Sequence, residues 1–195
     1  MKTIINKMIA YQLENGNMHE SEKDIYIYAY TVLIEECINV AIAILVGFIF
    51  KELKLVICFL CAYIPLRRFS GGYHAEDWKT CSIVSTVLII VICMIFNMDV
   101  QISIYTKFII LIFFQLCIVY LTPVDSINKR LSKNEKKEYH KKVYKILLFQ
   151  IIILIFAILT HIRYLYMGIY YSHIVLSSML IIGFYKNYRV RRKSN

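Results

Sequence analysis

Ile146-Leu147-Leu148-Phe149-Gln150-Ile151-Ile152-Ile153-Leu154-Ile155-Phe156-Ala157-Ile158-Leu159-Thr160 decides the fold class, because its interior contains a single polar side chain, Gln150. The run does not alternate between apolar and polar residues and is longer than a barrel strand, so it reads as a helix in lipid. Ile109-Ile110-Leu111-Ile112-Phe113-Phe114 repeats the pattern upstream. Working outward, six apolar segments emerge: Tyr26–Phe50, Leu55–Leu66, Cys81–Phe96, Lys107–Thr122, Ile146–Thr160 and Tyr166–Tyr185. The whole chain is 59% hydrophobic, above the 45–50% usual for soluble domains. Backbone polar groups in hydrocarbon must be satisfied within their own segment. The expectation is therefore an all-α polytopic membrane protein of about six transmembrane or membrane-embedded helices.

Residues 1–195 read as one membrane domain with no internal repeat. The N-terminal part, 1–24, has Ile4, Ile5, Met8, Ile9 and Leu13 at amphipathic spacing and no cleavable signal pattern, so it is expected to be an interfacial helix. Two segments are irregular. Glu35 and Glu36 fall inside the first, so they either face the protein interior or mark a helix that is interfacial up to that point. Leu55–Leu66 is short and closes at Pro65, which fits a thin span or a re-entrant segment.

The net charge is +10, and the basic residues are bunched. In so apolar a chain they are expected to anchor loops and touch anionic lipid heads, with no nucleic acid involved. With the N-terminus in the cytoplasm and six crossings, nineteen of the 23 lysines and arginines fall inside. Only Lys51, Lys54, Lys107 and Arg163 fall outside. The positive-inside rule thus predicts a multi-pass protein of a bacterial cell membrane with both termini and the 67–81 loop cytoplasmic.

That loop, Arg67-Arg68-Phe69-Ser70-Gly71-Gly72-Tyr73-His74-Ala75-Glu76-Asp77-Trp78-Lys79-Thr80-Cys81, concentrates the capable side chains. Five of six cysteines (Cys37, Cys58, Cys61, Cys93, Cys117) lie in apolar runs and read as small hydrophobes, the Cys58/Cys61 pair included. Cys81 alone has polar surroundings. A thiol becomes a nucleophile beside an imidazole or a helix N-terminus, and this loop offers both in His74 and the start of the next helix. One straight helix would hold His74 and Cys81 about 10.5 Å apart along its axis, so a dyad requires the chain to turn between them. Glu76 or Asp77 either orients the imidazole or caps the following helix in water. By spacing alone, an unremarkable His and Cys in a loop stay open beside a dyad. His19, His140, His161 and His173 are scattered, so no metal site and no cofactor are expected. His173 reads as a helix–helix hydrogen-bond partner.

The stretch from Arg67 to Ala75, with Cys81 seven positions after His74, resembles the accessory gene regulator protein B family of Gram-positive quorum sensing. The likeness extends over nearly the whole chain. It implies a membrane-embedded cysteine endopeptidase with His74 and Cys81 as the catalytic dyad and Arg67 and Gly72 in support. It also implies an AgrD-type precursor peptide as substrate, cut near an acidic C-terminal tail, held as a thioester and released as a cyclic peptide. A homodimer is compatible with the resemblance. The basic loop 124–145 then has two readings: attraction of the acidic tail by Lys129, Arg130, Lys133, Lys136 and Lys137, or topological anchoring. The competing function is a non-enzymatic transporter or export accessory for a small peptide, lined by Glu35, Glu36, Gln115 and Gln150. A purely structural membrane partner is the third reading.

Overall fold

The computed structural model describes residues 2–15, 19–72, 78–98, 103–124 and 132–193. Seven helices follow in order: α1 (Lys2–Glu14), α2 (Lys23–Ile49), α3 (Leu53–Ser70), α4 (Trp78–Asn97), α5 (Ile104–Leu121), α6 (Lys133–Leu159) and α7 (Arg163–Lys193). A 3-10 turn, Glu20–Glu22, precedes α2. The β-type pairing among the described residues is one isolated bridge, Gly71 to Val124. Helices α2, α4, α6 and residues 163–189 of α7 are long and apolar enough to cross a membrane, and Tyr105–Leu121 is a shorter apolar helix. The protein is an all-α, multi-pass membrane protein. Ile109, Leu116, Phe149 and Ile152 lie exposed on helix faces, as lipid-facing positions do.

The chain packs as two compact units, Met1–Ala43 and Ile44–Asn195. In the first, the expected amphipathic helix forms: Ile5 and Ile9 of α1 are buried against Tyr26, Ile27, Tyr30 and Ile34 of α2. Gln12 also donates to the Tyr30 hydroxyl. Within α2, Glu35 is half-buried and Glu36 exposed.

In the second unit, two clusters fix the helix directions. Ala62, Leu111, Leu154 and Ile169 meet at one level. Leu66, Ile118, Val143, Leu147, Leu176 and Leu180 meet at the other. Numbers rise from the first cluster to the second in α3, α5 and α7 and fall in α6, so α6 runs against the other three. Arg163 donates to the Phe96 carbonyl at 3.0 Å, which sets the end of α4 beside the start of α7. Lys54 lies over the Tyr164 ring at 5.6 Å and sets the start of α3 there too. The end of α3, the starts of α4 and α6, and the ends of α5 and α7 therefore gather at the opposite end of the bundle.

Three expectations need correction. Pro65 does not close the segment around Leu55–Leu66; α3 continues through it for five residues to Ser70. Proline removes one N–H but does not end a helix whose next turn is buried, and Leu66 and Ser70 are both 0% exposed. Residues 67–81 are not one loop: Arg67 and Arg68 end α3, while Trp78 to Cys81 begin α4. Of the basic loop 124–145, everything from Lys133 is the first part of α6. Ser132 accepts from the Glu135 amide while the Glu135 carboxylate accepts from the Ser132 amide, a reciprocal cap that starts the helix well before the apolar run.

Helix α3 packs tightly on α7 at Gly168. A Cβ there would stand 2.8 Å from Cys58 Cβ and 3.0 Å from the Phe59 nitrogen. Small residues permit such approach where dispersion, not the hydrophobic effect, holds helices together. Gly168→Val is expected to cost about 1–3 kcal/mol through overpacking. Thermal unfolding in detergent, compared with a valine at lipid-facing Ile152, measures it; equal stability of the two variants would contradict the close packing.

Candidate active site

Helix α3 ends because two glycines take backbone angles that L-residues rarely adopt: φ is +70° at Gly71 and +110° at Gly72. The Gly71 amide closes on the Arg67 carbonyl at 3.3 Å. The Arg67 guanidinium folds back and donates through Nη1 to the Gly71 carbonyl. Gly72 is buried, and a Cβ on it would collide with that same Nη1 and stand 3.2 Å from the Met179 carbonyl of α7. The sequence motif thus brings Arg67 and Gly72 into direct contact. Arg68, by contrast, is exposed.

The residues after α5 secure this end. Val124 donates its amide to the Ser70 carbonyl at 2.9 Å and pairs with Gly71 in the parallel bridge. The buried Ser70 hydroxyl donates to the Leu66 carbonyl at 2.7 Å. From α6, His140 Nδ1 lies 3.1 Å from the Thr122 carbonyl and donates to it. Tyr139 meets Phe69 edge-on at 5.8 Å, and Lys142 stands over the Phe69 ring at 5.1 Å. Sequence spacing had no signal for these partners, which come from segments more than fifty residues downstream.

Cys81 occupies the first turn of α4. It is a free, half-buried thiol. The amides of that turn have no acceptor within the helix and form its positive end, so they favour a negative charge placed there. Tyr63, one helical turn before Arg67 on α3, is half-buried against the cluster around Leu66 and stacks on Phe59 at 5.3 Å. Tyr63 was not singled out by the sequence; its i,i+4 spacing to Phe59 was the one available cue. His74, Glu76 and Asp77 lie outside the described residues. So do Lys129 and Arg130.

Of the other basic candidates, Lys133 and Lys137 are exposed on the first turns of α6 and Lys136 is half-buried. Because this segment is helical, Lys133, Lys137, Lys141 and Lys145 recur every fourth residue, and all four are exposed. They form a slowly winding basic stripe at the same end of the bundle as Cys81. Lys141 and Lys145 join the set only once the segment is seen as a helix. Among the described residues no group of three or more His, Cys, Asp or Glu side chains could hold a metal. The local chemistry is that of a free thiol in the first turn of a helix, at the end of the bundle where the Arg67 guanidinium closes on Gly71.

The family model described as accessory gene regulator B matches residues 2–184. The chain is 27% identical over 147 residues to "Putative AgrB-like protein 2" of Clostridium perfringens (strain 13 / Type A), covering 71% of this chain and 68% of that one. It is 28% identical, over the same length and shares, to "Putative AgrB-like protein" of Clostridium perfringens (strain SM101 / Type A). No solved structure shows a significant match.

Gly72→Ala forces a left-handed backbone angle and displaces the guanidinium. The expected cost is about 1–3 kcal/mol. Thermal unfolding of the variant reads the strain. Arg67→Ala in the same background should recover part of the loss, because the colliding group is then gone; no recovery would show that Arg67 does not occupy this space.

Proposed function

Because the chain belongs to the accessory gene regulator B family, we propose that it is the membrane-embedded cysteine endopeptidase of its quorum-sensing system, acting on an AgrD-type precursor peptide. The observation that carries the reading is the free thiol of Cys81 in the first turn of α4, seven residues after the histidine of the family motif. His74 takes the thiol proton, and Sγ attacks the scissile carbonyl carbon. The C–N bond breaks, and His74 returns the proton to the leaving amine of the acidic tail. The retained part of the peptide is then a thioester on Cys81. A thiol within that peptide attacks the thioester carbonyl, closes a thiolactone ring and frees Cys81.

The architecture suits this sequence of steps. The α4 N-terminal amides stabilise the thiolate and the oxyanion that follows it. Arg67 and Gly72 hold the backbone that leads into His74. Glu76 or Asp77 supplies the partner that orients the imidazole. Ring closure gains from intramolecular attack, and a site at the membrane edge limits competing hydrolysis. In this proposal the positive-inside rule makes this end of the bundle the cytoplasmic one. There the stripe of Lys133, Lys137, Lys141 and Lys145, together with the charges of Lys129, Arg130 and Lys136, draws in the acidic tail. The transporter reading loses one of its lining residues, since Gln150 is buried and bonded to neighbouring helices.

Two outcomes test the proposal. Cys81→Ser and His74→Ala should each lower precursor cleavage roughly 10³-fold or more while the protein still inserts. Full processing by either would remove the dyad. Replacing Lys133, Lys137 and Lys141 together by glutamine should raise KM about three- to tenfold at low ionic strength, as expected for exposed pairs worth about 0.2–1 kcal/mol each. The difference should vanish near 1 M salt, where the Debye length is about 3 Å. A salt-independent KM in the unaltered protein would limit these lysines to anchoring.

A further inference from the structure

Pro65 has no N–H for the Cys61 carbonyl, and its ring crowds that carbonyl, so α3 is weakest as a ladder between residues 61 and 65. At that weak point another helix intervenes. Gln150 of α6 donates Nε2–H to the Ala62 carbonyl at 2.8 Å. Its Oε1 lies 2.9 Å from His173 Nε2 of α7. The Ala62 carbonyl can only accept, so the amide must turn its oxygen to the imidazole, and the His173 proton must sit on Nε2. Nδ1 is then a bare acceptor, and it has no hydrogen-bond partner among the described residues. Gln150 is 4% exposed and His173 0%.

A buried unpartnered acceptor is destabilising, and an apolar side chain of similar size would not carry that cost. The pair is therefore not explained by stability. Its geometry explains it better: one chain of side chains ties α3, α6 and α7 together where the proline weakens α3. Arg67 lies five residues beyond Ala62, about 7.5 Å along the axis. Any change in the direction of α3 past the proline is passed to Arg67, Gly71 and Gly72.

We propose that Gln150 and His173 are positioning residues for catalysis: their hydrogen-bonded pair fixes the direction of α3 at Pro65 and so sets the place of the Arg67–Gly72 end, which shares its end of the bundle with the Cys81 thiol. This rests on the endopeptidase reading above. Neither residue touches substrate.

The test uses full-length protein in liposomes with a synthetic precursor. The double variant Gln150→Leu/His173→Leu should unfold at or above the temperature of the unaltered protein, whereas Gln150→Leu and His173→Leu alone each leave the other's polar atom buried and unpaired and should unfold somewhat lower. Their KM should stay within about twofold while kcat falls about 10- to 100-fold, the scale of a displacement of about 1 Å at a reacting centre. His173→Gln, whose amide can still donate to Gln150, should recover most of the kcat. Hydrogen exchange of residues 62–72, followed by mass spectrometry, reads the positioning without turnover and should speed up in both leucine variants. Unchanged kcat with unchanged exchange overturns the proposal, as does His173→Gln being as slow as His173→Leu. If Cys81→Ser still processes the precursor, the endopeptidase reading fails, and the exchange rates alone then decide whether the pair holds α3.

Discussion

A carbonyl buried among packed helices has no water to fall back on, and α3 carries a proline within a helix packed against α6 and α7. The second unit is arranged around that constraint. Gln150 reaches from α6 to the carbonyl beside the break, and His173 braces Gln150 from α7. On one side of the break, Gly168 lets α7 press against α3 at Cys58 and Phe59. On the other, Leu66 enters the cluster with Ile118, Val143, Leu147, Leu176 and Leu180. A helix that could have been a hinge is held at both ends and at its weak centre.

That rigidity is delivered where the chemistry gathers. Beyond the break, the last turn of α3 is stitched to the residues after α5 through Ser70, Gly71 and Val124. Arg67 and Gly72 occupy each other's space, so neither can change without the other responding. Cys81 belongs to the first turn of α4, whose N-terminus lies at this end of the bundle. The ends of α3, α5 and α7 and the starts of α4 and α6 therefore meet at one end of the bundle, and the basic stripe of α6 rises from the same place. Thiol and cationic surface coincide there.

The membrane class was legible in the sequence because runs such as Ile151–Phe156 admit one environment. His173 was legible as a helix–helix partner, since a polar residue inside a span must find another. The extent of α3 was not. Pro65 reads as a stop in local terms, and the burial that overrides it comes from residues between Ile118 and Leu180, far along the chain. The basic 133–145 segment read as a loop because its charges masked a helix whose start depends on the Ser132–Glu135 cap. Within the site, Arg67, Gly72 and Cys81 stood out by residue type and spacing. Tyr63 and Val124 did not, because their roles exist only after folding brings distant segments together.

The most direct test of the chemistry is intact mass spectrometry of the protein in liposomes, quenched in acid at short times after addition of a precursor peptide. The expected species is the protein plus the mass of the truncated peptide minus water, mapped to Cys81, released by hydroxylamine and followed by a ring-closed product. Cleaved precursor with no adduct on Cys81 at any time, or an adduct on a different residue, would contradict thioester catalysis at this site.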